Sequence, residues 1–124
     1  MAIESDTLLG QFVGSFHTHP YPDGTTGIGF SGADIADTIN SGELLSIVQS
    51  GQEIFALLRT EFTPARVNRL RLQREHDDLH YDYLGRVRSV QIAVHYTNAD
   101  LCQAYGLAFY TGLMFHALEE MYRP

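Results

Sequence analysis

The sequence predicts an α/β domain: a central mixed β-sheet flanked by helices, with a helical C-terminal half. Three observations carry this expectation. A β-compatible segment runs into a Gly-rich loop and then a well-signalled short helix. Two apolar runs flank a turn pair and read as a hairpin. From Thr63 onward, helix-start signals and apolar spacing of the helical kind dominate. At 124 residues the chain is long enough for one domain with a real core, and short for two.

Taken in order, Gly10 to Phe16 is short, apolar-rich and β-compatible. If the strand continues to His19, Pro20 ends it, because proline has no N–H to give to a ladder. Tyr21 to Phe30 holds Pro22, Asp23 and the glycines Gly24, Gly27 and Gly29, a loop by composition. Ser31 stands where a helix N-cap belongs, and Ile35, Ile39 and Gly42 outline a helix over Gly32 to Ser41 with a glycine stop. Leu44 to Val48 and Ile54 to Leu58 flank Ser50-Gly51 and predict the hairpin. Their near-continuous apolar character predicts strands covered on both faces.

Thr63-Pro64 offers a capping hydroxyl followed by proline at the first helical position, so a helix is expected from there to about Leu84, with Gly85 as its stop. Val67, Leu70, Leu72, Leu79, Tyr83 and Leu84 make its apolar face; Arg66, Arg69, Arg74, Glu75 and Asp78 make a solvated one. His76 and His80 lie one helical turn apart with Asp77 between them, and are read as part of the polar surface rather than as a metal site. Val87 to Tyr96 fits a strand or a helix. Thr97 with Asp100 reads as a capping box opening a helix from Asn98 to about Met121, whose stretch from 101 to 118 carries no charge. Gln103, Thr111 and His116 interrupt that stretch, so a buried helix or a homodimer interface is expected there and not a membrane span. His95 and His116 are read as structural.

Chemistry concentrates near the start. If the first strand runs through His19, His17 and His19 share one face, their Cα atoms roughly 6.5–7 Å apart. Two imidazoles at that spacing can converge on one ion. Asp34, three residues after Ser31, puts a carboxylate in a first helical turn that can face the strand end. Two histidines and one aspartate leave a coordination position for water, which distinguishes a catalytic zinc from a structural one closed by four protein ligands. Taken alone, Ser-x-x-Asp signals only a helix start, and His-x-His on a strand is usually a packed or exposed pair. Their combination in this order, with Pro20 after the second histidine, is the more specific signal.

That combination, His17-Thr18-His19-Pro20 followed by Ser31-x-x-Asp34, resembles the JAMM motif of the JAB/MPN metalloprotease family, over about residues 8–60. The resemblance implies a cytidine-deaminase-like fold, with 1–124 as a single domain whose motif core spans about 8–60 and whose helical C-terminal extension spans about 63–124. It implies Zn2+ held by His17, His19 and Asp34, with Ser31 helping to hold an oxyanion. It further implies hydrolysis of a peptide or isopeptide bond, with a peptide or the C-terminal tail of a ubiquitin-like or sulfur-carrier protein as substrate. An upstream glutamate should act as general base, and Glu4 is the only glutamate before His17. Two departures stand out. The loop before Ser31 is about three residues longer than usual, which costs little. Only sixteen residues precede His17, too few for the strand and helix that normally carry the glutamate, so a compact variant or a fragment is expected. The C-terminal helix is expected to fill the place of that missing helix. The alternative is a JAB-like binding or scaffold module without a competent base, or a JAB-like toxin domain.

A net charge of -7 argues against nucleic acid as the main partner, since phosphate binding needs a basic surface. All eight basic residues are arginine, which coding bias accounts for. The single cysteine, Cys102, excludes an intrachain disulfide, and no signal-peptide pattern opens the chain. A cytoplasmic protein of bacterial or phage origin is expected.

Overall fold

A computed structural model of the chain describes residues 14–19, 29–50, 52–113 and 119–122; within the strands, the side chains of His17, His19, Leu113 and residues 119–122 are outside that description. The element order is β1 (Gly14–His19), α1 (Gly32–Ser41), β2 (Leu45–Ser50), β3 (Glu53–Arg59), α2 (Arg69–Arg86), α3 (Val90–Ala104), β4 (Leu107–Leu113) and β5 (Glu119–Tyr122). The five strands form one mixed sheet in the order β1-β2-β3-β4-β5. β1 runs parallel to β2, and every other pair is antiparallel. The expected α/β class and mixed sheet are present.

The register lines up two neighbouring cross-strand rows on one face of the sheet. His17, Val48, Phe55 and Thr111 form one row, and His19, Ser50, Glu53 and Leu113 the next. Val48, Phe55, Leu57, Leu107 and Phe109 on this face bury against Phe30, Ile35 and Ile39 around α1, Leu72 of α2, and Val94, Leu101 and Cys102 of α3. Burying each large apolar side chain is worth about 1.5–3 kcal/mol, so this single layer of helices on the sheet carries the fold. β2 alternates between half-buried and buried positions, with Ser46, Val48 and Ser50 inward. It is therefore covered on one face, not on both as its apolar run suggests.

α1 matches its expected limits, with Ser31 as N-cap and Gly42 closing it in the left-handed conformation. The hairpin also forms where expected, with Ser50 of β2 paired to Glu53 of β3 at its closed end. The helices after it differ. α2 begins at Arg69, capped by the Asn68 side chain, which accepts from Arg71 N at 2.9 Å. Thr63 is used otherwise: its hydroxyl accepts from Thr60 N and donates to Gly106 O, tying a loop to the start of β4. Gly85 lies inside α2, and Leu70, 71% exposed, is off its apolar face.

The long helix expected from Asn98 to Met121 does not form. The helix is α3, capped by Ser89 and ended at Ala104, so the ambiguous stretch Val87 to Tyr96 is helical from Val90 on, after an extended break at Val87 to Ser89. Thr97 is no cap: it is fully buried in mid-helix, its hydroxyl donating to Ala93 O at 2.7 Å. Gly106 breaks the chain direction with φ 69°, and a Cβ there would sit 2.4 Å from Phe62 O. That position needs glycine on both counts. Beyond it, Leu107 to Leu113 pairs with β3 over seven residues. The C-terminal half is thus helix and strand, and among the described residues the C-terminal helix expected to stand in for an N-terminal one is absent.

Candidate functional site

The start of α1 is built by a reciprocal capping box. Asp34 N donates to Ser31 Oγ at 3.0 Å, and Ser31 N donates to Asp34 Oδ2 at 3.1 Å. This satisfies backbone N–H groups that a helix start otherwise leaves without partners. It also fixes the Asp34 carboxylate in one place. A carboxylate has about four lone-pair positions, so capping does not exhaust its capacity as a ligand. Ser31 Oγ accepts in this box, which leaves its O–H available to donate.

The segment entering α1 is held from α3. Asn98, fully buried, accepts from Phe30 N at 3.0 Å and donates to Phe30 O at 2.9 Å. Phe30 itself is fully buried in the core. From the other side α2 crosses closely: a Cβ on Gly32 would lie 2.5 Å from the Gln73 Cα and 2.9 Å from the His76 Cβ. Only glycine permits that approach at the first residue of α1.

His17 and His19 occupy alternate positions on the helix-covered face of β1, at the strand's carboxyl end. In open α/β sheets ligands usually bind beyond the carboxyl ends of strands. The side chains of both histidines, and Glu4, Pro20 and the loop to 28, lie outside the described residues. Among the described residues no three His, Cys, Asp or Glu side chains stand close enough together to hold a metal. His17, His19 and Asp34 are of residue types whose nitrogen and oxygen atoms can ligate zinc.

A second pair, unrecognised in the sequence, joins Glu53, which lies in the same row as His19, to His95 of α3. Glu53 Oε2 is 2.6 Å from His95 Nε2 and 3.4 Å from Thr111 Oγ1. Glu53 is 4% exposed, and its Oε1 is buried with no hydrogen-bond partner among the described residues. The His95 ring meets Phe55 edge-on, centroids 5.5 Å apart. His95, read as structural from the sequence, thus has a buried acid as its partner. The available signal was the acid itself: Glu53 opens the otherwise apolar run Ile54 to Leu58 directly after a two-residue turn.

Of the α2 histidines, His76 is buried and His80 is half-buried, so neither is a fully exposed surface residue. His76 is 8% exposed beside Gly32, its Nδ1 3.1 Å from Asp77 Oδ1. The His80 ring stacks on it at 5.9 Å, and His80 Nδ1 is buried without a partner among the described residues. Burial lowers the pKa of His80 below its ordinary 6.5, and the neighbouring His76 adds to this. Cys102 is fully buried, which pushes its thiol pKa up and keeps it protonated.

Elsewhere, α2 and α3 flank an open acidic cleft of about 530 Å³ that includes Glu75, Asp78 and Asp100. Two of these acids are already engaged: Tyr105 donates to Glu75, and Tyr83 donates to Asp100 at 2.5 Å. Desolvation first, and the Glu75 bond second, push the Tyr105 pKa up to about 12. Among the described residues no helix is long and apolar enough to cross a membrane. No known protein family, curated protein or solved structure matches the chain.

Proposed function

We propose that the chain is a zinc-dependent hydrolase of the JAB/MPN kind that cuts a peptide or isopeptide bond. One observation carries the reading: His17 and His19 share a face at the carboxyl end of β1, and the next described helix begins with Ser31 and Asp34 locked in a capping box. Strand end and helix start belong to one β1–α1–β2 unit, so the candidate ligands come from two short, rigid elements.

Bound zinc would make water a competent nucleophile near neutral pH and polarise the scissile carbonyl. His17, His19 and Asp34 would hold the ion. Ser31 would donate its free O–H to the oxygen on which charge develops; one such donor is typically worth about 10²–10³ in rate. Substrate would be an extended peptide or the C-terminal tail of a ubiquitin-like or sulfur-carrier protein, laid along a sheet edge.

Metal analysis of the wild type beside His19→Ala and Asp34→Ala tests this. Stoichiometric zinc in the wild type and its loss in both variants is the expected outcome. Equal zinc in all three, or none in the wild type, overturns the reading.

A further inference from the structure

We infer that Glu53, held by His95, supplies the proton-accepting carboxylate of the His17–His19–Asp34 site, from downstream of the motif and in place of Glu4. The inference rests on the hydrolase reading above. It begins from three facts that are independent of that reading. Glu53 shares a cross-strand row with His19, through Ser50. Strand spacing sets the two Cα atoms roughly 9.5–10 Å apart, a span that a glutamate side chain on one side and a histidine–ion unit on the other can close. And Glu53 is buried with one oxygen tied and the other unpartnered among the described residues.

The third fact is the informative one. A buried carboxylate oxygen without a hydrogen bond costs free energy, and such orphans call for an explanation. A purely structural link between β3 and α3 is already made by Oε2, which His95 and Thr111 hold. Oε1 adds nothing to that link. It is, however, the oxygen left to accept a proton. His95 is itself fixed, by Phe55 edge-on and by its place on α3 one turn before Asn98. The same helix therefore positions Glu53 through His95 and the α1 start through Asn98 and Phe30.

The proton path closes without any other reactant. The water oxygen forms a bond to the carbonyl carbon as the C=O π pair moves onto the carbonyl oxygen; the water's O–H bond breaks and its proton goes to Glu53 Oε1. That oxygen pair then re-forms C=O as the C–N bond breaks, the C–N electron pair stays on nitrogen, and Glu53 returns the proton to the leaving amine. The products are a carboxylic acid and an amine, and Glu53 ends as it began. His95 is a positioning residue in this scheme.

Cobalt(II) in place of zinc tests the placement without a substrate. In the cobalt-loaded wild type, the His95 ring resonances should be shifted and broadened relative to the zinc form; unshifted His95 signals overturn the inference. Azide then probes the open coordination position, read from the visible cobalt spectrum. Glu53→Gln removes a negative charge beside that position, so azide should bind about tenfold tighter, with cobalt stoichiometry unchanged. Azide affinity equal to wild type overturns the assignment of Glu53 and leaves the hydrolase reading standing. A wild type that binds no cobalt overturns both.

Discussion

Asn98→Ala should destabilise the protein by about 3 kcal/mol. The side chain is fully buried and makes both hydrogen bonds of Phe30, accepting from its N–H at 3.0 Å and donating to its C=O at 2.9 Å. Truncation orphans one buried donor and one buried acceptor, each costing about 1–3 kcal/mol. Relief by local movement is small, because the surroundings are tight: a Cβ on Gly29 would already lie 2.6 Å from Asn98 Oδ1. In a domain of this size the loss corresponds to a Tm lower by about 10 °C, and to a large part of a total stability of about 5–15 kcal/mol. Asn98→Asp keeps the acceptor, loses the donor and buries a charge, so it should cost at least as much. Urea unfolding followed by circular dichroism measures both. Amide exchange at Phe30, Ser31 and Asp34 should accelerate in parallel, since Phe30 leads directly into the capping box. A cost under 1 kcal/mol for Asn98→Ala would refute the view that α3 fixes the start of α1.

Arg59 donates to three carbonyls, those of Ile39, Glu43 and Pro64, and so joins the last turn of α1 to the β3 end. Arg59→Lys cannot reproduce that fork and should cost about 1–2 kcal/mol in denaturant unfolding; a neutral effect would contradict the bridging role. His80 gives a pH signature. Its folded pKa lies below 6.5, so the unfolded chain takes up the proton first, and stability falls as pH drops from 6.5 toward the folded value. Stability measured from pH 7.5 to 5 should therefore decline less steeply in His80→Gln than in wild type, and identical slopes would contradict the assignment.

What the sequence made legible was local. α1 has its Ser31 cap, its Asp34 partner and its Gly42 stop within twelve residues, and each acts through the backbone nearby. The hairpin was similarly readable from two apolar runs and a turn. Leu107 to Leu113 was not, because an apolar run of that length satisfies both helix and strand patterns. Its pairing partner, β3, lies about fifty residues away, and pairing decided the outcome over local pattern. Thr97 misled for a related reason: a capping residue type can be buried in mid-helix when its hydroxyl bonds the preceding turn. Glu53–His95 and Phe30–Asn98 are separated by 42 and 68 residues. No window along the chain contains either pair, although each residue type is visible. The His-x-His and Ser-x-x-Asp elements were legible as spacing, and the fold adds their setting: one end of β1, one end of α1, and a buried acid two strands over.

A zinc-soaked crystal, with anomalous difference maps recorded on both sides of the zinc absorption edge, addresses the central claim most directly. A single strong peak between the β1 carboxyl end and the first turn of α1, within about 2.0–2.2 Å of His17, His19 and Asp34 donor atoms, is the result expected here. A peak seated instead on His76 and His80, with none at β1, would contradict the account.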